Sequence, residues 1–324
     1  MKWINRFINP TLSDILDRWY DTHRLNIAYS TAYGYKCAIK RIKEYFGEDI
    51  KIRSLTSDIL QDYILYLRYQ KSLSNTTIYN HLKAFSLSLN YAVSQGFIKF
   101  NPLDGVEKPS SRGKVEIVPY TEEDMKKLLS QDFIAWVKDA VIIAYHTGMR
   151  LGEIFGLKWT DINFEQSFIM VQRSLSRGGC KAVIKTTKTS CGVRRIDIDR
   201  YLLSYLVSLK TMSNSVYVFS MPNGQYRIPW NMAAKVKEMC ILAGVAPRDF
   251  HTLRHTHATI LLAHGVHPKI VQERLGHSDI KITMGTYSYV TPTIQREAVN
   301  IFDTAVVPVV HIIALAKDPA LNAA

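Results

Sequence analysis

Residues 251–289, HTLRHTHATILLAHGVHPKIVQERLGHSDIKITMGTYSY, restrict the chain to short helices joined by tight turns. Leu253, Ala258, Ile260 and Leu261 recur at helical spacing over residues 252–264, and Gly265 stands just past that run as a stop. Pro268 opens the next helix at the position where a missing N–H costs nothing, and Gly276 closes it after Leu275. A third helical pattern follows Ser278, with Ile280, Met284 and Tyr287 on one face. His251, Arg254, His277 and Tyr287 thus fall on short elements separated by turns, so two imidazoles, a guanidinium and a phenol lie within a short reach of chain.

Any one of these side chains alone is ordinary helix packing or solvated surface. A second stretch far upstream changes the reading. Residues 145–157, YHTGMRLGEIFGL, set Arg150 directly after a Thr-Gly turn at the start of a new apolar-periodic helix. Backbone N–H groups at a helix start and a fixed cation together predict an anion site. Taken in order, Thr147-Gly-Met-Arg-Leu-Gly-Glu153, His251-Thr-Leu-Arg-His255, Leu275-Gly-His277 and Thr286-Tyr287 resemble the motifs of the tyrosine recombinases, or phage-type integrases. The resemblance covers roughly residues 10 to 303.

That resemblance implies a reaction and a role for each motif residue. Exchange of a DNA phosphodiester needs charge stabilised on the nonbridging oxygens, a nucleophile, and a proton for the leaving 5′ oxygen. Arg150 and Arg254 suit the first task, because a guanidinium is a rigid, permanently charged fork. Tyr287 is the implied nucleophile, and its ordinary pKa of about 10 requires activation by cations or loss of its proton to a base. His251 is implied as the partner for that proton, His277 as a hydrogen-bond donor to the scissile phosphate, and Lys188 as the acid for the leaving hydroxyl. Lys185 is the alternative to Lys188, and Tyr289 the rival to Tyr287. The tyrosyl ester keeps the energy of the broken bond, so the resemblance implies no cofactor, no ATP and no metal, the arginines taking the electrostatic role of a metal ion.

The histidine-rich run admits a second reading, a helical metal site. His251 and His255 are four apart, with His257, His264 and His267 following, but there is no His-Glu-x-x-His core and Arg254 would stand beside the ion. His255, His257, His264 and His267 therefore read as structural or surface groups.

Charge supports a polyanionic partner. The chain of 324 residues carries a formal net charge of +13. Residues 170–196 hold Arg173, Arg177, Lys181, Lys185, Lys188, Arg194 and Arg195 with no acidic residue among them, which reads as a DNA-contact surface. Cys37, Cys180, Cys191 and Cys240 have neither paired-thiol nor zinc-knuckle spacing and read as free thiols of a cytoplasmic protein. No signal peptide or membrane span is evident.

With 47% apolar residues, a chain of this length predicts two domains. Four helices are expected over residues 1–107: one with Leu12, Ile15, Leu16 and Trp19 on a face; one from Ser30 to Gly47 carrying Tyr33, Ile39, Ile42 and Phe46; one capped by Thr56 or Ser57; and one from Ser74 or Asn75 to about Gln95. Tyr33 and Tyr63 read as core. By resemblance this is the helical core-binding (SAM-like) DNA-binding domain. Residues 108–118, KPSSRGKVEIV, break the pattern as a linker, and the catalytic domain spans 119–303. In it, a helix capped at Thr121 and an apolar helix over 133–145 precede strands at 167–171 and 193–198, with a basic hairpin between them at 185–192. The expected fold is mainly α with a small antiparallel β-sheet, two domains forming a C-shaped clamp on DNA.

The apolar segment 305–316 of the tail 304–324 is implied to pack into a neighbouring protomer, giving dimers to tetramers on DNA. Core recombination sites, a Holliday junction, and accessory DNA-bending or directionality proteins complete the implied partners. The chain starts almost at the core-binding domain, so either it is one of the simpler recombinases or the sequence lacks an arm-binding domain. The hairpin region leans toward integration and excision of a mobile element, with a type IB topoisomerase-like enzyme or a noncleaving DNA-binding protein as the alternatives.

Overall fold

The computed structural model describes residues 9–110, 117–178, 181–186 and 192–280, without the side chains of residues 177, 178, 181, 185 and 186. Two separate hydrophobic cores organise it, one built from residues 12–106 and one from residues 120–253.

The first core is helical. Helix α1 (Leu12–His23) starts at Thr11, whose hydroxyl accepts from the Asp14 N–H while Asp14 reaches back to the Thr11 N–H. It buries Leu12, Ile15, Leu16 and Trp19, the expected stripe. Helix α2 (Tyr29–Phe46) stops at Gly47, whose φ of +73° favours glycine. Its N-cap is Ala28 rather than the expected Ser30. Tyr33, expected in the core, is 51% exposed and stacks on Tyr29. The reason is angular: Tyr33 precedes the buried Ile42 by nine positions, which at about 100° per residue puts it on the opposite face. Helices α3 (Ser57–Leu65) and α4 (Asn75–Ser94) are capped by Thr56 and Ser74. Tyr63 is fully buried, with Phe46 and Phe85 rings against it, as the sequence led one to expect.

In the second core, α5 (Glu122–Ser130) begins with the expected box of Thr121 and Asp124. Helix α6 (Ala135–Thr147) is apolar almost all round and buries Val137, Ala140, Val141, Ile142, Ile143 and Ala144. It breaks at Gly148, and the short α7 (Leu151–Phe155) follows. Strands β1 (Ile162–Asn163), β2 (Phe168–Val171) and β5 (Arg194–Asp197) form an antiparallel sheet in the order β1-β2-β5, with Phe168 opposite Asp197 and Val171 opposite Arg194. Between β2 and β5 the basic stretch makes its own ribbon, β3 (Arg173–Gly178) paired with β4 (Lys181–Thr186). This ribbon precedes most of the hairpin expected at 185–192, of which residues 187–191 lie outside the described residues.

Helices α8 (Arg200–Thr211) and α9 (Met232–Leu242) lead to α10 (His251–Ala263) and α11 (Pro268–Leu275). The last two pack on each other through Ala258, Leu262, Val271 and Leu275. Gly265 and Gly276 end them at positive φ, as the sequence predicts. Lys188, Tyr287, Tyr289 and the tail lie outside the described residues. Among the described residues, no helix is long and apolar enough to cross a membrane.

Candidate active site

The turn after α6 brings the upstream motif to the end of α11. Gly148 adopts φ +67°, and a Cβ there would stand 2.6 Å from Leu275 Cδ2 and 2.8 Å from His257 Cδ2. Only glycine meets both demands. The close approach sets Arg150 over the last turn of α11, where its Nη2 donates to the Gly276 carbonyl at 3.0 Å and its Nη1 to that of Leu275 at 3.5 Å.

Arg254 arrives at the same carbonyl from α10. Its Nη2 donates to Leu275 O at 2.8 Å and its Nη1 to Gly148 O at 2.8 Å. Two guanidiniums distant in sequence thus hang on one carbonyl, which fixes the planes of both forks. Arg254 is buried, at 2% exposed, whereas the side chain of Arg150 keeps 41% of its surface in solvent.

The start of α7 differs from expectation. The Arg150 N–H donates to Glu153 Oε2 at 2.9 Å, and Arg150 Nη1 to Glu153 Oε1 at 2.9 Å. The helix's own carboxylate therefore occupies the N-terminus that the sequence reading offered to an external anion. The cationic forks of Arg150 and Arg254 remain as the candidate anion-binding element.

Three histidines surround them. His251, the first residue of α10, is exposed, and its ring meets that of His255 edge-on at 4.8 Å between centroids. His277 follows Gly276, its backbone tied to Gln272 by N–H to carbonyl at 3.1 Å and by Gln272 Nε2 to the His277 carbonyl at 3.0 Å. Desolvation, with Arg254 next, lowers the pKa of His251. Desolvation, Arg254 and Arg150 push His277 down to about 4, and desolvation with His251 and Arg254 does the same to His255. These rings are neutral at pH 7, so His251 is fit to accept a proton and His277 to donate one hydrogen bond. A bound phosphate would oppose the arginines and raise all three. Two fixed guanidiniums beside these imidazoles make a donor set that repels a metal cation. Among the described residues, no three His, Cys, Asp or Glu side chains converge as metal ligands.

Residues 120–293 match the phage integrase family model, and residues 11–109 match the phage integrase SAM-like domain. The chain belongs to the phage integrase family. A relative named tyrosine recombinase XerC-like, from Caldanaerobacter subterraneus subsp. tengcongensis, is 31% identical over 91% of this chain and 83% of its own length. The ICEBs1 integrase of Bacillus subtilis is 29% identical over 82% of this chain and 74% of its own. The solved Tn1549 transposon integrase in complex with circular intermediate DNA matches with a TM-score of 0.77, covering 90% of this chain and 99% of that one, at 22% identity, a likeness of fold. The enzyme is a tyrosine recombinase, and its reaction is site-specific DNA recombination.

The recombinase does not use all of its basic stretch as a free surface. Arg194, expected at the DNA, is buried: its Nη2 and Nη1 donate to the two oxygens of Glu153 at 2.8 and 3.2 Å, and its Nε to Arg274 O at 2.7 Å. Arg173, expected likewise, pairs with the buried Asp161. In both cases an acidic partner distant in sequence draws the cation inward, and net charge along the stretch cannot show that. Arg195 stays half-exposed, stacked on Phe168 at 4.2 Å and paired with Asp197. Arg177 lies on β3 and Lys181 and Lys185 on β4, with their side chains among those not described.

Glu153 stands in the 147–153 motif with no role expected from sequence. Its signal was the position three residues into α7, where a carboxylate closes a capping box.

His257 has a different role from its histidine neighbours. It is buried, its Nδ1 lies 2.8 Å from Tyr145 O, and its Nε2 accepts from Arg274 Nε at 3.0 Å, partners that assign the proton to Nδ1. Desolvation, then the charge of Arg274, push it down to about 4 against the opposing hydrogen bond to the Tyr145 carbonyl, with His146 and Arg254 adding to the downward shift. A folded-state pKa below the unfolded value means the unfolded chain binds the extra proton first. Stability from this group is therefore intact above pH 6.5 and lost as pH falls toward 4, by up to about 3 kcal/mol. Urea unfolding between pH 7.5 and 4.5 should show a shallower acid slope for His257→Gln than for the parent. Equal slopes would contradict the assignment.

Proposed function

We propose that this recombinase integrates and excises a mobile element, cutting and rejoining duplex DNA through a 3′-phosphotyrosyl intermediate at Tyr287 and a Holliday junction. The observation that carries the residue assignment is the convergence of Arg150 and Arg254 on the Leu275 carbonyl, with His251 and His277 beside them. In the proposed step the Tyr287 oxygen attacks phosphorus and the bond to the 5′ oxygen breaks. The tyrosine proton passes to His251, and Lys188, or Lys185 in its place, protonates the leaving 5′ oxygen to give the 5′ hydroxyl. Arg150 and Arg254 hold the nonbridging oxygens, and His277 donates to one of them. The attack of a 5′ hydroxyl from another strand reverses these transfers and seals the joint, so no metal or ATP enters the scheme.

In this reading residues 1–107 form the core-binding domain, 108–118 the linker, and 119–303 the catalytic domain. Both domains contact duplex DNA, with Arg177, Lys181, Lys185 and Arg195 among the contacts. Residues 304–324 dock on a neighbouring protomer, giving a dimer to tetramer on DNA. The enzyme acts in the cytoplasm on nucleoid DNA, helped by DNA-bending or directionality proteins. The names of an ICEBs1 integrase, a phage L54a integrase and a transposon integrase among its relatives support a mobile element.

A supercoiled plasmid with two direct copies of the joined element ends tests this. The proposal expects two recombinant circles. Relaxed plasmid alone would support a topoisomerase-like activity instead, and unchanged plasmid that is nonetheless bound would support a noncleaving DNA-binding protein.

A further inference from the structure

Both phosphate-binding arginines are mounted on the last turn of α11, through the carbonyls of Leu275 and Gly276. The rate of an in-line displacement then depends on where that turn stands, because a misplacement of about 1 Å costs roughly 100-fold. Gly276 gives the turn its left-handed conformation, but a single glycine does not locate it against the rest of the fold.

Arg274 does. Its side chain leaves α11 one residue before Leu275 and spends three donors on three different elements: Nε to His257 Nε2 on α10 at 3.0 Å, Nη1 to the Asp197 carbonyl at the end of β5 at 2.9 Å, and Nη2 to the His146 carbonyl on α6 at 3.2 Å. Its own carbonyl accepts from Arg194 Nε at 2.7 Å, and Arg194 is in turn held by Glu153. His257 is suited to orient it, since Nδ1–H donation to Tyr145 O leaves Nε2 as an acceptor aimed at the guanidinium. His257 also packs against the position of Gly148, whose carbonyl holds Arg254.

We infer that Arg274, oriented by His257, is a positioning residue for catalysis: it sets the Leu275–Gly276 carbonyls and through them the two forks that bind the scissile phosphate. This rests on the recombinase reading of the site. Arg274 touches no reacting atom, so its loss acts through Arg150 and Arg254.

The test measures single-turnover adduct formation on saturating nicked duplex, for the parent, Arg274→Met, Arg274→Lys and His257→Gln. Two substrates are compared, one with the ordinary scissile phosphate and one with a neutral methylphosphonate in its place. On phosphate, Arg274→Met should cleave about 100-fold more slowly than the parent with duplex affinity within about threefold, and Arg274→Lys and His257→Gln should fall between them. On methylphosphonate, which carries no charge for the forks to stabilise, the parent-to-variant ratio should shrink to within about threefold. An equal ratio on both substrates would mean a general loss of structure and overturn the inference, as would Arg274→Met cleaving phosphate at the parental rate. Failure of all three variants to fold would make the cluster a core determinant and overturn it too. A parent that forms no adduct on DNA it binds contradicts the proposed function itself, an outcome distinct from an unchanged ratio.

Discussion

Arg254→Ala is expected to slow strand cleavage by about 10²–10³-fold while leaving duplex binding nearly intact, because it removes donors aimed at charge that grows only as phosphorus is attacked. The same change should also weaken the fold. Gly148 O, which accepts from Arg254 at 2.8 Å in a buried setting, is left orphaned at a cost of about 1–3 kcal/mol, and Leu275 O keeps only the longer 3.5 Å donor from Arg150. Arg150→Ala makes a useful contrast. Its guanidinium is partly solvated and Gly276 O is less enclosed, so it should lose cleavage to a similar extent and stability far less. Single-turnover cleavage and urea midpoints on both variants check this. Equal stability losses for the two would refute the distinction between the buried and the exposed fork.

Glu153→Ala should lower stability by about 3–5 kcal/mol, the usual effect of leaving a buried charge without its partner. Glu153 is 3% exposed and receives both Nη groups of the buried Arg194, one Nη of Arg150, and the Arg150 N–H. Burial by itself would raise its carboxyl pKa, yet the hydrogen bonds and charges of Arg194 and Arg150 outweigh that and hold it below the ordinary value. A depressed carboxyl contributes stability above its unfolded pKa and loses it as pH falls through the folded one, so the Glu153 contribution is complete at neutral pH. Removing both charges should hurt less than removing one. Glu153→Ala combined with Arg194→Met is therefore expected to recover part of the loss in urea unfolding, and a double variant less stable than Glu153→Ala would argue that Arg194 finds other compensation.

The helices and their ends were legible because the signals are local. Thr56, Thr121 with Asp124, Pro268 and the left-handed Gly276 act within a turn or two of chain. Of the four motifs that propose the site, three lie among the described residues, where Arg150, His251 and His277 each stand beside the turn or helix end that places them, while Thr286-Tyr287 and Lys188 lie outside the described residues. What the sequence hid was pairing across distance. Arg194 and Glu153 are 41 residues apart and Arg173 and Asp161 belong to different elements, so a run of positive charge looked like one open surface. The β3–β4 ribbon was missed for a related reason: its strands are too polar to alternate clearly, and only their pairing makes them strands. His257 was read only in company with His255, His264 and His267, as structural or surface groups, and its partner Arg274 gave no sign, because nothing along the chain tells that α6, β5 and α10 meet at the same guanidinium.

The central claim is that Tyr287 attacks a phosphate held by Arg150 and Arg254. Its most direct test is denaturing-gel trapping of a covalent protein–DNA adduct, without added metal, on supercoiled plasmid carrying the DNA that flanks this gene, for the parent, Tyr287→Phe and Tyr289→Phe. The account predicts an adduct in the parent and in Tyr289→Phe and none in Tyr287→Phe. An adduct that persists in Tyr287→Phe, or none from a parent that binds the same DNA, would contradict it.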